Sequence, residues 1–239
     1  MSKSRKNIYI AVLCFIIVAI SLMMSVPTLI ERVAPASTTA QDQGITVIID
    51  AGHGGIDGGA VGINKAVEKD INLAIALKLK EFMVISGFDV ILTRDSDISI
   101  HDAGLTKTRE IKRSDLHNRL GIMEENPDAI FISIHQNSFT QSQYKGTQVF
   151  YGQNHPESRV LADTIQRTIA EGVQPDNQRV VKQTGDNIFL LYETKSIAIM
   201  VECGFLSNPE EADMLLTEEY QDTLAYIIYA GVIRYLVQE

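Results

Sequence analysis

The sequence predicts a single three-layer α/β domain built on a twisted, mostly parallel sheet of about six strands flanked by helices. Short apolar runs rich in β-branched residues recur along the chain without polar alternation, as strands buried on both faces do. Stretches with helical apolar spacing separate them, and polar or Gly-rich segments follow their C-terminal ends. The strand candidates are Thr46 to Asp50, Phe88 to Thr93, Ala129 to His135, Thr147 to Tyr151 and Ile197 to Glu202. Ile71, Ile75, Leu79 and Phe82 mark a first helix that Gly87 stops, and Leu161, Ile165 and Ile169 mark another running into Gly172. Asn208-Pro209-Glu210-Glu211 is a helix start with a cap, a proline at the first position and an acid three residues on. A long helix follows Thr217.

Composition narrows the function. The 239 residues carry 21 Lys+Arg against 30 Asp+Glu, a net charge of -9, which excludes a general nucleic-acid binder with its basic face. Two cysteines exclude a disulfide framework. Residues 7 to 30 contain no charge and follow Lys3, Arg5 and Lys6, the pattern of an export segment close to the ~20 residues that span a bilayer. Residues 1–33 are therefore expected to be a signal peptide or an uncleaved membrane anchor. Membrane contact is expected only through that segment. Residues 34–44, small and polar, read as a linker, and 45–239 as the working domain. The first 36 residues carry +3, which leaves -12 for the exported remainder.

In parallel sheets, ligands bind beyond the carboxyl ends of the strands, and the unusual polar residues fall there. Asp50 to Gly59 follows the first strand with five glycines and His53. It lacks the Gly-Lys-Ser/Thr ending of a phosphate loop, and Asp57 occupies the last glycine position of a dinucleotide loop. Glu68 precedes the helix built on Ile71, where an acid also favours the helix dipole. His135 ends the third strand, with Ser133 on the same face. Glu202 closes a strand expected to be buried, which is costly unless something offsets its charge. Two histidines and two glutamates at one sheet edge suit a zinc hydrolase: three ligands leave a position for a water whose pKa falls to roughly 7. The other carboxylate would serve as general base. The residues alone do not say which glutamate is which.

Several groups are set aside. Cys203 faces away from Glu202 and reads as a small buried hydrophobe. His101, His117 and His155 read as solvated, and Arg113 and Arg119 as surface or helix-packing ion pairs.

The stretches I-I-D-A-G-H-G-G-I-D-G-G-A-V-G, E-K-D-I-N-L, L-T-R-D-S-D, I-S-I-H-Q-N-S and V-E-C-G-F-L-S-N-P-E-E resemble, in order, the zinc-dependent N-acetylmuramoyl-L-alanine amidases of bacterial cell walls. The resemblance spans roughly residues 45 to 237. It implies that His53, Glu68 and His135 hold zinc, that Glu202 is the catalytic base, and that Asn137 supports the site or the substrate. The implied substrate is peptidoglycan, cut at the amide between muramic acid and L-alanine. Only the eight residues Ser138 to Lys145 stand where some relatives carry an autoinhibitory helix. With the insertion after Arg94, the layout looks most like the germination-specific amidases of spore-forming bacteria, which strip stem peptides from the cortex before muramic-δ-lactam forms. That likeness implies action outside the cytoplasm, in the wall or the forespore intermembrane space, and leaves room for an activating protein partner. A catalytically silent wall binder and a zinc peptidase cutting within the stem are the competing expectations.

Overall fold

The computed structural model describes residues 44–237, so the expected export segment and most of the linker lie outside the described residues. The described residues form six strands and six helices. The strands are β1 (Thr46–Ala51), β2 (Asp89–Leu92), β3 (Ile130–Asn137), β4 (Gln148–Tyr151), β5 (Lys182–Gln183) and β6 (Ala198–Phe205). The helices are α1 (Glu68–Ile85), α2 (Thr108–Glu125), α3 (Pro156–Gly172), α4 (Phe189–Glu193), α5 (Pro209–Met214) and α6 (Glu218–Leu236). Among the described residues no helix is long and apolar enough to cross a membrane.

One sheet runs β2-β1-β3-β6-β4-β5, and every neighbouring pair is parallel except β4 with β6. The expectation of a mostly parallel sheet is met. The chain passes from β1 to β2 on one side and then returns to place β3 on the other. The carboxyl ends of β1 and β3 thus flank a topological switch point, where doubly wound sheets open a crevice.

Strand alternation sorts the side chains into two faces. Val47, Ile49, Ile132, Ile134, Ile199 and Val201 face one way and are packed under α1, α3 and α6. Ile48, Phe131, Ala198 and Met200 face the other way, under Met123 of α2 and Leu190 and Leu191 of α4. Toward the carboxyl edge this second face stops being apolar: its next residues are Asp50, Ser133, His135 and Glu202. Asn208 caps α5 as its sequence promised, accepting the Glu211 N–H at 3.1 Å.

Candidate metal centre

Glu68, the first residue of α1, is 4% exposed, and its carboxylate is gripped from several sides. Oε2 accepts the Ala60 N–H at 2.7 Å, and Oε1 accepts the Gln136 N–H at 3.1 Å. His135 Nδ1 lies 2.9 Å from Oε1, and His53 Nε2 lies 3.2 Å from the same atom. One ligand atom from each of His53, Glu68 and His135 falls within 4.8 Å of the other two. These side chains come from the loop after β1, the start of α1 and the end of β3, so the switch point assembles them.

The loop that delivers His53 is held under strain and at close quarters. His53 has φ +63°, a left-handed conformation that a non-glycine residue adopts only when its surroundings impose it. A Cβ on Gly52 would clash with His135 Nε2, so glycine alone lets the chain leaving β1 pass beside that imidazole. Gly59, at φ +67°, leaves similarly no room for a side chain against Glu68 and His53.

Asp57 accepts a hydrogen bond from His53 Nδ1–H at 3.0 Å when that nitrogen carries the proton. This choice of tautomer turns the Nε2 lone pair toward Glu68 and His135. The four groups are coupled electrostatically. Burial alone would lower the pKa of His53, yet the hydrogen bonds to Asp57 and Glu68 outweigh it and lift it to about 9. Burial would raise that of Glu68, yet the two imidazoles hold it well below the usual carboxylate range. Two imidazoles and a carboxylate with an outer carboxylate on one ring are a nitrogen/oxygen donor set that suits zinc.

Glu202 stands opposite His135 in the β3–β6 register. Its Oε2 is shut off from solvent and has no hydrogen-bond partner. Burial pushes its pKa up to about 7, with the nearby Glu68 charge adding to the rise and His135 opposing it. Glu202 lines a groove of about 460 Å³ together with His53, His135, Phe150, Phe189 and Met200. Asn137 lies two residues beyond His135, past a register shift, and lines an adjoining cleft instead. A larger cavity of about 510 Å³, between residues 143–146, residues 173–179 and α5, contains none of these groups.

Two arginines to which the sequence gives no role at the site complete the centre. Arg119 is 1% exposed; its Nη1 donates to Asp50 and to the Ala51 carbonyl (2.9 Å), and Nη2 donates to the His53 carbonyl at 2.7 Å. Its Nε donates to Asp115 at 2.8 Å. Asp50 also accepts from Thr93 (2.8 Å) and Ser133 (2.6 Å). Burial would raise the Asp50 pKa, but the Arg119 charge and the Ser133 hydrogen bond lower it overall. Arg94 donates to the Ala51, Gly52 and Lys69 carbonyls. Arg119 is thus more than a surface or helix-packing ion pair, because it pins the backbone of the histidine loop. Of the groups set aside, Cys203 is buried in the opposite core as expected. His155 departs from a solvated role: its ring accepts the Glu157 N–H and caps α3.

Comparison with known proteins gives one answer. The family model described as N-acetylmuramoyl-L-alanine amidase matches residues 47–234. The germination-specific N-acetylmuramoyl-L-alanine amidase of Bacillus subtilis (strain 168) is 33% identical over 196 residues, 82% of this chain and 81% of that protein. The solved CwlD amidase from Clostridioides difficile, in complex with the GerS lipoprotein, is 43% identical with a TM-score of 0.79, covering 82% of this chain and all of that one. An N-acetylmuramoyl-L-alanine amidase from Clostridium difficile 630 is 31% identical with a TM-score of 0.70, over 82% and 98% of the two chains.

Proposed function

The chain belongs to the N-acetylmuramoyl-L-alanine amidase family, and we propose that it is a zinc-dependent hydrolase of the amide between N-acetylmuramic acid and L-alanine in peptidoglycan. His53 through Nε2, His135 through Nδ1 and Glu68 through a carboxylate oxygen would hold the metal. A zinc ion there supplies Lewis acidity, which makes water acidic near neutral pH and draws negative charge off a carbonyl oxygen.

The chain's own residues do the rest. Glu202 takes a proton from the attacking water as the oxygen bonds to the lactyl carbonyl carbon. It returns that proton to the alanine nitrogen as the C–N bond breaks, leaving a carboxylic acid and a free amino terminus. A pKa near 7 suits a group that must accept and then release a proton. Asp57 keeps His53 in one tautomer, and Arg119 and Arg94 hold the loop that carries it. Asn137, which the family resemblance implies supports the site or the substrate, would contact the substrate from the adjoining cleft that it lines.

The observation that carries this reading is the convergence of three ligand atoms beside an unpartnered, enclosed carboxylate on the next strand. A silent wall-binding protein would have no use for so costly a group. Incubating the purified chain with peptidoglycan, with zinc or after chelation, should release whole stem peptides bearing an L-alanine amino terminus in the first case only. Cleavage inside the stem would instead identify a peptidase.

By its likeness to the germination-specific enzyme, we assign the activity to spore cortex maturation, ahead of muramic-δ-lactam formation, outside the cytoplasm. Residues 1–33 are proposed as signal peptide or anchor and 34–44 as linker. The Clostridioides difficile relative is a complex with a lipoprotein, and an activating protein partner is proposed for this chain as well.

A further inference from the structure

A row of side chains crosses the sheet away from the metal centre. His135 faces Glu202 across β3–β6, and Glu202 faces Gln148 across β6–β4, so all three stand on the polar face. The row ends in a cation: Arg179 Nη1 donates to Gln148 Oε1 at 3.2 Å. Arg179 is fixed in place, because its Nε donates to the Lys145 carbonyl at 2.8 Å and its guanidinium lies 4.6 Å from the centre of the Phe205 ring. No hydrogen bond uses its Nη2, and neither Arg179 nor Lys182 makes an ion pair among the described residues. The nearby Glu211 carboxylate is already committed to the Gly146 and Phe205 N–H groups. Arg179 and Lys182 line a cleft of about 290 Å³ with Asn137 and Gln148, and Phe150 is a wall common to this cleft and the catalytic groove.

A held guanidinium with a spare N–H edge, in an acidic domain, is a recognition site for a carboxylate. We propose that Arg179, supported by Lys182, binds the carboxylate of the stem peptide nearest the scissile amide, and so determines specificity. The proposal deepens the amidase reading and rests on it. One strand spacing from Glu202 to Gln148, then the Gln148 side chain and its hydrogen bond, put the Arg179 guanidinium on the order of 10 Å from Glu202. A peptide advances at most about 3.5 Å per residue, so two residues and a hydrogen bond of about 3 Å together span that distance, which puts the second stem residue, the first after L-alanine with a free carboxylate, in reach.

The test uses two soluble muropeptides that differ only in whether that carboxylate is free or amidated. Wild-type protein should favour the free form in kcat/KM by about 10-fold or more, mainly through KM, as a hydrogen-bonded charge pair warrants. Arg179→Gln should bring the ratio close to one, Arg179→Lys should restore part of it, and Lys182→Gln, at an exposed position, should reduce it even if Arg179→Gln folds poorly. Equilibrium binding of both muropeptides to the Glu202→Gln protein should show the same preference. A wild-type ratio of one, or a ratio that survives in both glutamine variants, overturns the proposal. If wild type cleaves neither muropeptide, the amidase reading fails, while the binding preference still decides the role of Arg179.

Discussion

The two faces of the sheet are made by the same strands and do opposite work. On one face Ile49, Ile132, Ile199 and Val201 vanish under three long helices. On the other, one residue further along the same strands, stand Asp50, Ser133 and His135, with Glu202 beside them, under α2 and the short α4. Because side chains alternate, a strand can be bound tightly to the core by every second residue while the rest remain free for chemistry. The apolar face stabilises the domain, and the polar face spends part of that stability on an enclosed charge and a strained loop.

The largest expected effect is on the polar face. Glu202→Gln should lower kcat by roughly 10²–10⁴-fold, the range for a general base, while keeping zinc and melting no lower than wild type. A parallel loss of Tm would mean that Glu202 is structural and would blur the distinction between the faces. Next comes Arg119→Ala, which strands Asp50 and Asp115 and should cost about 3–5 kcal/mol in chemical denaturation. Its zinc affinity should fall too, since the His53 carbonyl loses its anchor.

Ile132→Ala, on the apolar face, should cost about 2–5 kcal/mol of stability. At a temperature where it is folded, its zinc content and kcat should match wild type. Acid acts more gently. The Asp50 pKa is depressed in the fold, so its contribution is present above the unfolded value of about 3.9 and is lost as pH falls through the lower folded value. Urea midpoints measured from pH 5 downward should therefore decline, and less steeply in a protein carrying both Asp50→Asn and Arg119→Met. The smallest effect concerns Cys203. Burial and the Glu202 charge raise its thiol pKa, so it should resist alkylation until the chain unfolds.

What the sequence revealed divides along the same line. The buried strands were legible because Val47, Ile48 and Ile49, or Ile130 to Ile134, have no other use for so many apolar residues in a row. His53, Glu68, His135 and Glu202 stood out as polar groups at the ends of those runs. β5 leaves no apolar signal in the sequence, since Lys182 and Gln183 are exposed and pair with β4. The five residues of α4 are too few to show a period. Arg119 looks in the sequence like an ion pair only, because no local spacing announces contacts with Asp50 and the His53 carbonyl 69 and 66 residues away. Arg94 lies within the L-T-R-D-S-D stretch, but nothing local announces its bonds to the Ala51 and Gly52 carbonyls, 43 and 42 residues away.

The central claim is that the polar face holds zinc between His53, Glu68 and His135, beside Glu202. Anomalous diffraction at the zinc edge from crystals of the purified chain tests it most directly. The account predicts one peak, about 2.0–2.2 Å from His53 Nε2, His135 Nδ1 and a Glu68 oxygen, with Glu202 outside bonding distance. A peak bonded to Glu202 in place of Glu68, or zinc seated elsewhere on the chain, would contradict it.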